Sequence, residues 1–303
     1  MPSRFFPMRA ALACAACLFA VPADAADCVP TLRAALNVGT HGAPLVTLSI
    51  NGGAAHLLLD TGAEKTTLTE AAARRLGLLA DFDHAQTMKG VGGNVRAGEV
   101  RPDLVTAGGR KLPEIAFAVV PTALPPVGEE EVDGLLGADM LGAYDIDLDI
   151  GHHLVRLYDP AACPTPALPW RREYAEVSAH LSRHRHVAFP VTLDGHKLTA
   201  FIDTGAQLTL LDRDAVADLG VSDAALGRDR SVLMQGVSRQ IVAAREHRFE
   251  RLGMADAVLL GPVVAVMPLR LDDADLLMGA DLLMRERIWL SYATQRIFVA
   301  LPE

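Results

Sequence analysis

The chain of 303 residues contains one β-rich pattern twice, and this duplication limits its possible folds more than any other feature. The segments "LLLDTGAEKTTLT" and "AFIDTGAQLTLL" each place an aspartate, Asp60 or Asp203, straight after an apolar stretch typical of a buried strand. Turn glycines precede the aspartates in "INGG" and "LDGH", and helix-ending glycines follow them in "RRLGL" and "ADLGV". The shared order of these landmarks predicts two copies of one unit of strands and short helices.

A second landmark and the strand patterns after it also occur twice. The segments "GLLGADML" and "LLMGADLL" lie at matching distances past the two aspartates, and alternating strand patterns follow each of them. The proline-rich segment "DPAACPTPALPW" separates the copies, since proline removes backbone donors and stiffens the chain. The pattern predicts one lobe at residues 28–158, a linker at 159–170 and a second lobe at 171–303.

The N-terminal residues 1–26 have the layout of a secretory signal peptide, with a basic start, the apolar run "AALACAACLFAV" and a small-residue cleavage site. The run is too short to span a bilayer comfortably, although an uncleaved anchor is the alternative. We therefore expect a periplasmic or secreted protein with no membrane span in the mature chain. Signal removal leaves Cys28 and Cys163, which in an oxidising compartment predict one disulfide; two free buried thiols are the alternative.

The charge balance excludes one class of partner. The formal net charge of −9 argues against nucleic acid, whose phosphate backbone needs a basic face. The segment "HLSRHRH" is interpreted as a solvated lead-in to the strand "VAFPVTL" rather than a metal site, because no cysteine or carboxylate lies at ligand spacing. We expect no metal and no organic cofactor.

Asp60 and Asp203 have two interpretations. A single aspartate after a strand is commonly a turn-former that accepts bonds from nearby backbone N–H groups. Two copies at equivalent places favour a catalytic pair, because lobes packed about a pseudo-two-fold axis bring the carboxyls face to face. Carboxyls about 3 Å apart share one proton, so one acts as general base toward a water and the other donates to a carbonyl oxygen.

The residues after each aspartate suit a tight junction between two such loops. Glycine lets backbone N–H groups approach a carboxylate, threonine offers a hydroxyl that can bond across the axis, and alanine is small. The predicted supporting residues are Thr61, Gly62, Ala63, Thr204, Gly205 and Ala206.

These motifs resemble the retropepsin-like aspartic proteases. The resemblance rests on Asp60-Thr61-Gly62-Ala63 and Asp203-Thr204-Gly205-Ala206, paired with Leu135-Leu136-Gly137 and Leu277-Met278-Gly279, and it covers nearly the whole mature chain. It implies an all-β fold of two tandem β-barrel lobes with short helices, related by a pseudo-two-fold axis, with the active site between them. The second motif is expected to pack beneath the catalytic loop.

The resemblance also implies glycine-rich hairpin flaps that close over the substrate. "MKGVGGNV" resembles such a flap, and "MQGVSRQI" is its counterpart in the second copy, where an ordinary hairpin turn is the stronger alternative. The predicted flap residues are Gly90, Val91, Gly92, Gly93, Gly236 and Val237. The substrate is then an extended peptide or protein segment, bonded in strand fashion.

Two departures from the family pattern modify these expectations. Ala63 and Ala206 stand where some members have a serine whose hydroxyl stabilises the ionised carboxylates. The lower pKa of the pair should therefore rise, and activity should peak at mildly acidic to near-neutral pH. The retroviral proteins carry an arginine soon after the apolar-apolar-Gly motif, where this chain has Asp139 and Asp281. The ion pair that supports the retroviral dimer is therefore not assumed for this chain.

Together these features predict an exported aspartic endopeptidase that works as a monomer, because the linker gives the two halves a high effective concentration. Two alternatives stay open: a non-catalytic peptide-binding module of the same fold, and an enzyme in which each half pairs with its equivalent in another chain. The short distance between the signal and the first strand predicts no long inhibitory pro-segment. The cleavage specificity is left undefined.

Overall fold

The computed structural model describes residues 5–7, 28–35, 37–38, 43–90, 93–163, 168–170, 173–235, 241–269, 271, 273–283 and 285–301. Strands dominate these residues, and the helices are only one or two turns long. The α-helices are α1 (Glu70–Arg75), α2 (Ala138–Leu141), α3 (Arg213–Val216), α4 (Asp223–Arg228) and α5 (Ala280–Leu283), with 3₁₀ turns at Ile150–His152 and Ala217–Leu219.

The strands before and after the linker repeat one order. Those before it are β1 (Phe5–Pro7), β2 (Leu32–Ala35), β3 (Asn37–Val38), β4 (Pro44–Ile50), β5 (Gly53–Leu59), β6 (Thr67–Thr69), β7 (Asp81–Gly90), β8 (Gly93–Val100), β9 (Val105–Ala107), β10 (Arg110–Lys111), β11 (Phe117–Val120), β12 (Gly134–Leu136), β13 (Asp145–Asp149) and β14 (Leu154–Tyr158). Those after it are β15 (Tyr174–Ser178), β16 (His180–Leu181), β17 (Val187–Leu193), β18 (His196–Ile202), β19 (Leu210–Asp212), β20 (Arg230–Gln235), β21 (Ile241–Arg248), β22 (Arg251–Met254), β23 (Ala257–Leu260), β24 (Val263–Met267), β25 (Leu276–Met278), β26 (Ile288–Ser291) and β27 (Arg296–Ala300).

Each repeat forms one large mixed sheet with the same strand order, and β1 from the N-terminal segment adds to the end of the second sheet. The first runs β10-β9-β4-β5-β12-β6-β11-β8-β7, and the second runs β1-β23-β22-β17-β18-β25-β19-β24-β21-β20. The short strands β3 and β16 pair with β4 and β17 at equivalent places. The predicted all-β architecture of two repeated lobes is thus confirmed.

The β-barrels of the two lobes are not closed. Among the described residues, no hydrogen-bonded ladder joins β7 to β10 in the first sheet or β20 to β1 in the second. Closure requires the end strands to meet in register. In the first sheet, the β7–β8 hairpin pairs with β11 at one end and the β9–β10 hairpin pairs with β4 at the other. In the second sheet, the equivalent hairpins pair with β24 and β17. Each sheet therefore stays open.

The first hairpin of each repeat carries the strand that ends at Asp60 or Asp203. The two hairpin turns have positive φ at both central positions, as two-residue turns of this kind require: Asn51, Gly52, Asp194 and Gly195. β5 lies between β4 and β12 and buries Leu57 and Leu59 completely. β12 pairs parallel to β5 and antiparallel to β6, and β25 crosses between β18 and β19 in the same way. Both aspartates therefore follow central, buried strands.

A third sheet joins the two repeats. Its order is β15-β27-β26-β13-β14-β2, so each repeat contributes three strands. The central strands β13 and β26 pair antiparallel, with Asp147 opposite Trp289. Ile146 and Leu148 pack into the main hydrophobic core. Because this ladder crosses from one repeat to the other, the lobes form one folded unit.

A buried charged cluster lies on this third sheet. Asp147 is fully buried and accepts hydrogen bonds from Arg156 at 2.6 Å and from Nε and Nη2 of Arg287 at 2.7 and 2.6 Å. Arg287 belongs to the second repeat and Asp147 to the first, so the Asp147–Arg287 ion pair joins the two lobes. The guanidinium carbon of Arg287 also lies 4.9 Å from the ring centre of Trp170 in the linker.

We expect Asp147→Ala to lower the free energy of unfolding by about 3–5 kcal/mol, because two largely buried arginines lose the carboxylate that they hydrogen-bond. Arg287 keeps the more distant carboxylate of Asp149, at 3.7 Å. Urea denaturation followed by tryptophan fluorescence measures the change. Glu176→Gln is the matched control, since the Glu176–Arg296 pair is partly exposed and should contribute less than about 1 kcal/mol. Equal effects of the two substitutions would contradict the role given to the cluster.

The linker packs on the third sheet and carries the predicted disulfide. Cys28 and Cys163 are bonded, with their Cα atoms 5.5 Å apart. Cys163 packs among Tyr158, Trp289 and Phe298. The predicted bridge is confirmed, and it ties the start of the first repeat to the linker.

Most of the predicted signal peptide lies outside the described residues. Within it, Phe5–Pro7 pairs antiparallel with residues 257–259 of β23. In the parts of the chain that the structure describes, no helix is long and apolar enough to cross a membrane. Signal cleavage and the boundaries of the lobes and linker stay predictions.

Candidate active site

Asp60 and Asp203, here called the acid pair, stand where the two repeats meet. The N–H of Asp60 donates to the Leu136 carbonyl at 3.0 Å, and the N–H of Asp203 donates to the Met278 carbonyl at 2.9 Å. The repeated apolar-apolar-Gly motif therefore supports the strand end that carries each acid. The carboxyl of each acid lies against the glycine of the opposite loop, so the fold brings the two acids together from positions far apart in the chain.

Each carboxyl of the acid pair is oriented by two backbone donors. Oδ1 of Asp60 accepts from the N–H groups of the next glycine and alanine at 3.0 and 2.9 Å. Oδ1 of Asp203 accepts from its own glycine and alanine at 2.9 and 3.1 Å. One oxygen of each group is thereby fixed, which leaves the other oxygen for the partner acid and for solvent or substrate.

Two buried threonines link the loop that carries Asp60 to the loop that carries Asp203. The Thr61 hydroxyl donates to the Ile202 carbonyl at 2.7 Å and accepts from the Thr204 N–H at 3.1 Å. The Thr204 hydroxyl donates to the Leu59 carbonyl at 2.6 Å and accepts from the Thr61 N–H at 3.1 Å. These four bonds are reciprocal and buried, so they fix the distance between the two loops.

The two glycines permit the close approach of the carboxyls. A Cβ atom added to Gly62 would overlap the carboxyl of Asp203, and one added to Gly205 would overlap the carboxyl of Asp60. Each glycine thus contacts the acid of the opposite loop. Ala63 and Ala206 contribute N–H donors, and their carbonyls accept from the N–H groups of Ala138 and Ala280 at 2.8 Å.

The pKa values of the acid pair reflect burial and mutual contact. Burial raises the pKa of both carboxyls above the ordinary aspartate value. The pKa of Asp60 rises further because Asp203 places a like charge beside it. The pair therefore retains one shared proton over a wide pH range and titrates as a unit.

The aspartate of each Gly-Ala-Asp segment has a role that the sequence analysis missed. Oδ1 of Asp139 accepts from the N–H and hydroxyl of Thr66 at 2.8 and 2.6 Å, and Oδ1 of Asp281 accepts from those of Thr209 at 2.9 and 2.7 Å. Each hydroxyl accepts in turn from the glycine N–H of the same segment at 3.1 Å. The signal was present, since both the threonines and the aspartates occur at equivalent places in the two repeats.

The interpretation of "HLSRHRH" as a solvated lead-in is wrong for His186. Its ring stacks on Phe201 with the ring centres 4.3 Å apart, and its Nε2 lies 2.9 Å from the Gly62 carbonyl oxygen. His184 Nδ1 lies 3.1 Å from Oε2 of Glu64. The lead-in thus contacts the active-site loop of the first repeat, which local sequence patterns do not reveal because the contact joins residues far apart in the chain.

Only part of each predicted flap lies among the described residues. Gly90 and Gly93 pair at the end of the β7–β8 hairpin, and Gly93 has a φ of 128°. The β20–β21 hairpin is described up to the pair Gln235 and Ile241. The predicted flap residues outside the described residues are Val91, Gly92, Gly236 and Val237.

Comparison with known families gives one match, which occurs twice. A family model described as aspartyl protease matches residues 46–140 and 189–282. A comparison with curated proteins found no match. Each matched range contains one acid of the pair and one Gly-Ala-Asp segment. The chain belongs to the aspartyl protease family, as a tandem repeat of the retropepsin-like type.

Proposed function

We propose that this protein is an aspartic endopeptidase with one active site, built by Asp60 and Asp203. The observation that carries the proposal is the close approach of these two carboxyls, each of which lies against the glycine of the opposite loop and is held by two backbone N–H groups. An acid pair that shares one proton contains a general base and a general acid at once. A turn-forming role needs only the backbone bonds and gives no reason for the two acids to meet.

In the proposed reaction, a water molecule lies between the acid pair and the scissile peptide bond. The ionised carboxylate takes a proton from the water as it attacks the carbonyl carbon, and the protonated carboxyl donates to the carbonyl oxygen. In the second step, one carboxyl donates a proton to the amide nitrogen while the other takes a proton from a hydroxyl of the tetrahedral intermediate. The C–N bond breaks, and the pair ends with the single proton it had at the start.

The proposed substrate is an extended peptide that lies between the acid pair and the β7–β8 and β20–β21 hairpins. Strand edges bind peptides through main-chain hydrogen bonds and select side chains through alternate pockets. Leu233 and Ile241 of the second hairpin are 74% and 61% exposed, and Met88 and Met234 are partly buried on the two hairpins. These side chains favour apolar residues on the substrate.

We propose that the active enzyme is a monomer. The threonine bonds across the axis and the third sheet are formed within one chain. Activity per mole should therefore be constant on dilution, as measured by a cleavage assay beside gel filtration. A loss of activity on dilution would instead support pairing of each half with another chain.

We also propose that the protein is exported to the periplasm or secreted. The bonded pair Cys28–Cys163 supports this location, since such bridges persist in oxidising compartments. N-terminal sequencing of the protein secreted by its host would test cleavage close to residue 26. A mature chain that begins at Met1 would contradict the signal peptide.

Peptide-library digestion tests the proposed activity against the alternative of a non-catalytic peptide-binding module. The wild type should cleave internal bonds, identified by mass spectrometry of the products, and the double variant Asp60→Asn/Asp203→Asn should leave the library intact. Both proteins are then immobilised and exposed to the same library. Peptide capture by the wild type without any cleavage would support the binding module and overturn the enzyme.

We expect a bell-shaped dependence of kcat/KM on pH, with its maximum at mildly acidic to near-neutral pH. The active form carries one proton, so activity rises as the first proton leaves the pair and falls as the second one does. Burial and the neighbouring charge raise the pKa of Asp60, so the loss at high pH is displaced toward neutrality. A maximum below about pH 3, the behaviour of a pair without this elevation, would contradict the expectation.

A further inference from the structure

The loop between β16 and β17, residues 182–186, is held in one shape by its own hydrogen bonds. The Ser182 N–H donates to the His186 carbonyl at 2.9 Å, and the Arg185 N–H donates to the Ser182 carbonyl at 3.0 Å. The Ser182 hydroxyl accepts from the N–H groups of His184 and His186 at 3.1 and 3.3 Å. Arg185 has a φ of 65°, which turns the chain. The direction of the His186 side chain is therefore fixed by the loop.

The His186 ring reaches from the second repeat to the active-site loop of the first. It lies parallel to the Phe201 ring within 12°, and its Nε2 is 2.9 Å from the Gly62 carbonyl oxygen. A carbonyl oxygen only accepts hydrogen bonds, so Nε2 carries a proton and donates it. Gly62 in turn contacts the carboxyl of Asp203. The imidazole is thus separated from the acid pair by a single glycine.

The bond from His186 acts on the acid pair through one peptide group. The carbonyl of Gly62 and the N–H of Ala63 belong to the same peptide, and that N–H donates to Oδ1 of Asp60 at 2.9 Å. A hydrogen bond accepted at a carbonyl polarises the peptide and strengthens its N–H as a donor. The imidazole donor therefore strengthens a bond that favours the ionised form of the pair.

Among the described residues, the first repeat has no counterpart of this donor. Ala43 immediately precedes β4, as His186 immediately precedes β17, and a methyl group cannot donate to the second active-site loop. The residues after the two glycines, Ala63 and Ala206, also carry no hydroxyl that could stabilise a carboxylate. In the part of the chain that the structure describes, the side-chain donor at this place therefore comes from the second repeat.

We propose that His186 is a positioning residue that holds the Gly62–Ala63 peptide and thereby favours the ionised form of Asp60 within the acid pair. This inference deepens the proposed function and rests on it for the catalytic meaning of the ionised pair. The hydrogen bond between the His186 imidazole and the Gly62 carbonyl does not depend on the proposed function.

Some of the groups around His186 lower its pKa and others raise it. Burial lowers the pKa of His186 below the ordinary histidine value, and His184 lowers it too, whereas the Gly62 carbonyl, Asp203 and Asp273 raise it. Glu64 and Asp273 face the neighbouring His184, and Arg183 pairs with Asp273 at 3.3 Å. Because burial is the largest effect, the ring is neutral near pH 7 and donates through Nε2–H. Gain of a second proton at Nδ1 would strengthen the same donor.

The test is a carboxyl titration that does not depend on catalysis. The full chain is labelled with ¹³C at the aspartate side-chain carboxyls, and the acid-pair signals are assigned with Asp60→Asn and Asp203→Asn. The variants are His186→Phe, which keeps a ring against Phe201 but loses the donor, and His186→Gln, which keeps an N–H at the position of Nε2. His196→Phe, at an exposed position on β18, is the matched control.

We expect His186→Phe to raise the second titration midpoint of the pair, at which Asp60 ionises, by about half to one pH unit, a three- to tenfold change in proton affinity. His186→Gln should restore at least half of that shift, and His196→Phe should leave the midpoint unchanged. The alkaline limb of kcat/KM should move to higher pH with the midpoint. An unchanged midpoint in His186→Phe, or an equal shift in both His186 variants, would overturn the proposal.

A further measurement on the wild type decides the case even if His186→Phe fails to fold. Nitrogen chemical shifts of the ¹⁵N-labelled imidazole should show the Nε2–H tautomer of His186 at neutral pH. A predominant Nδ1–H tautomer would overturn the proposal, since that ring cannot donate to Gly62. Failure of the wild type to cleave any peptide would refute the proposed function, while the carboxyl titration would still report on His186.

Discussion

Replacement of either Asp60 or Asp203 by asparagine is expected to lower kcat/KM for peptide cleavage by at least about a thousandfold. An amide can accept the backbone N–H bonds through its carbonyl oxygen, so each loop should keep its shape. It can neither take a proton from water nor share one with the remaining acid. The double variant should be hardly less active than either single variant, because the two acids act as one unit.

Initial rates with a peptide found by library digestion measure this effect. Asp256→Asn is the matched control, because Asp256 lies exposed in the turn between β22 and β23, far along the chain from either acid. The control should retain the wild-type rate. Full activity in either single variant of the acid pair would refute the shared-proton mechanism.

Replacement of Gly62 or Gly205 by alanine is expected to lower kcat by more than about a hundredfold and to lower the free energy of unfolding by about 1–3 kcal/mol. The new Cβ would overlap the carboxyl of the acid on the opposite loop. Either that carboxyl must turn away from its partner or the two loops must separate. Separation would stretch the buried hydrogen bonds of Thr61 and Thr204.

Gly227→Ala is the matched control for these substitutions. Gly227 lies in α4, with nothing within 4 Å of an added Cβ, so alanine there should be neutral or slightly stabilising. The comparison uses thermal unfolding and initial rates for all three variants. Wild-type activity in Gly62→Ala would mean that the two loops are not in tight contact in solution.

Much of the fold was predictable because its signals are local and occur twice. The turn pairs Asn51-Gly52 and Asp194-Gly195 adopt the positive φ angles that hairpin turns need, whatever the rest of the chain does. The strand ends at Asp60 and Asp203 follow from the apolar runs before them. A single copy would have left these aspartates as ordinary turn residues.

Other features were not predictable because they depend on where distant segments meet. The open ends of the two large sheets depend on which inner strands accept the end hairpins. The burial of Asp147 between two arginines depends on the pairing of β13 with β26, since the alternating pattern "YDIDLDI" indicates a strand but not its neighbour. For the same reason, "HLSRHRH" gave no sign that His186 would contact Gly62.

The amino-acid sequence alone determined that the protein has two related lobes and that each lobe presents one aspartate after a buried strand. These properties follow from local periodicity and turn chemistry, which act over a few residues. Tertiary structure decided that the two carboxyls come together, and that His186 of the second repeat places an imidazole beside them. Contacts of this kind depend on the packing of one lobe against the other, and no local pattern encodes that packing.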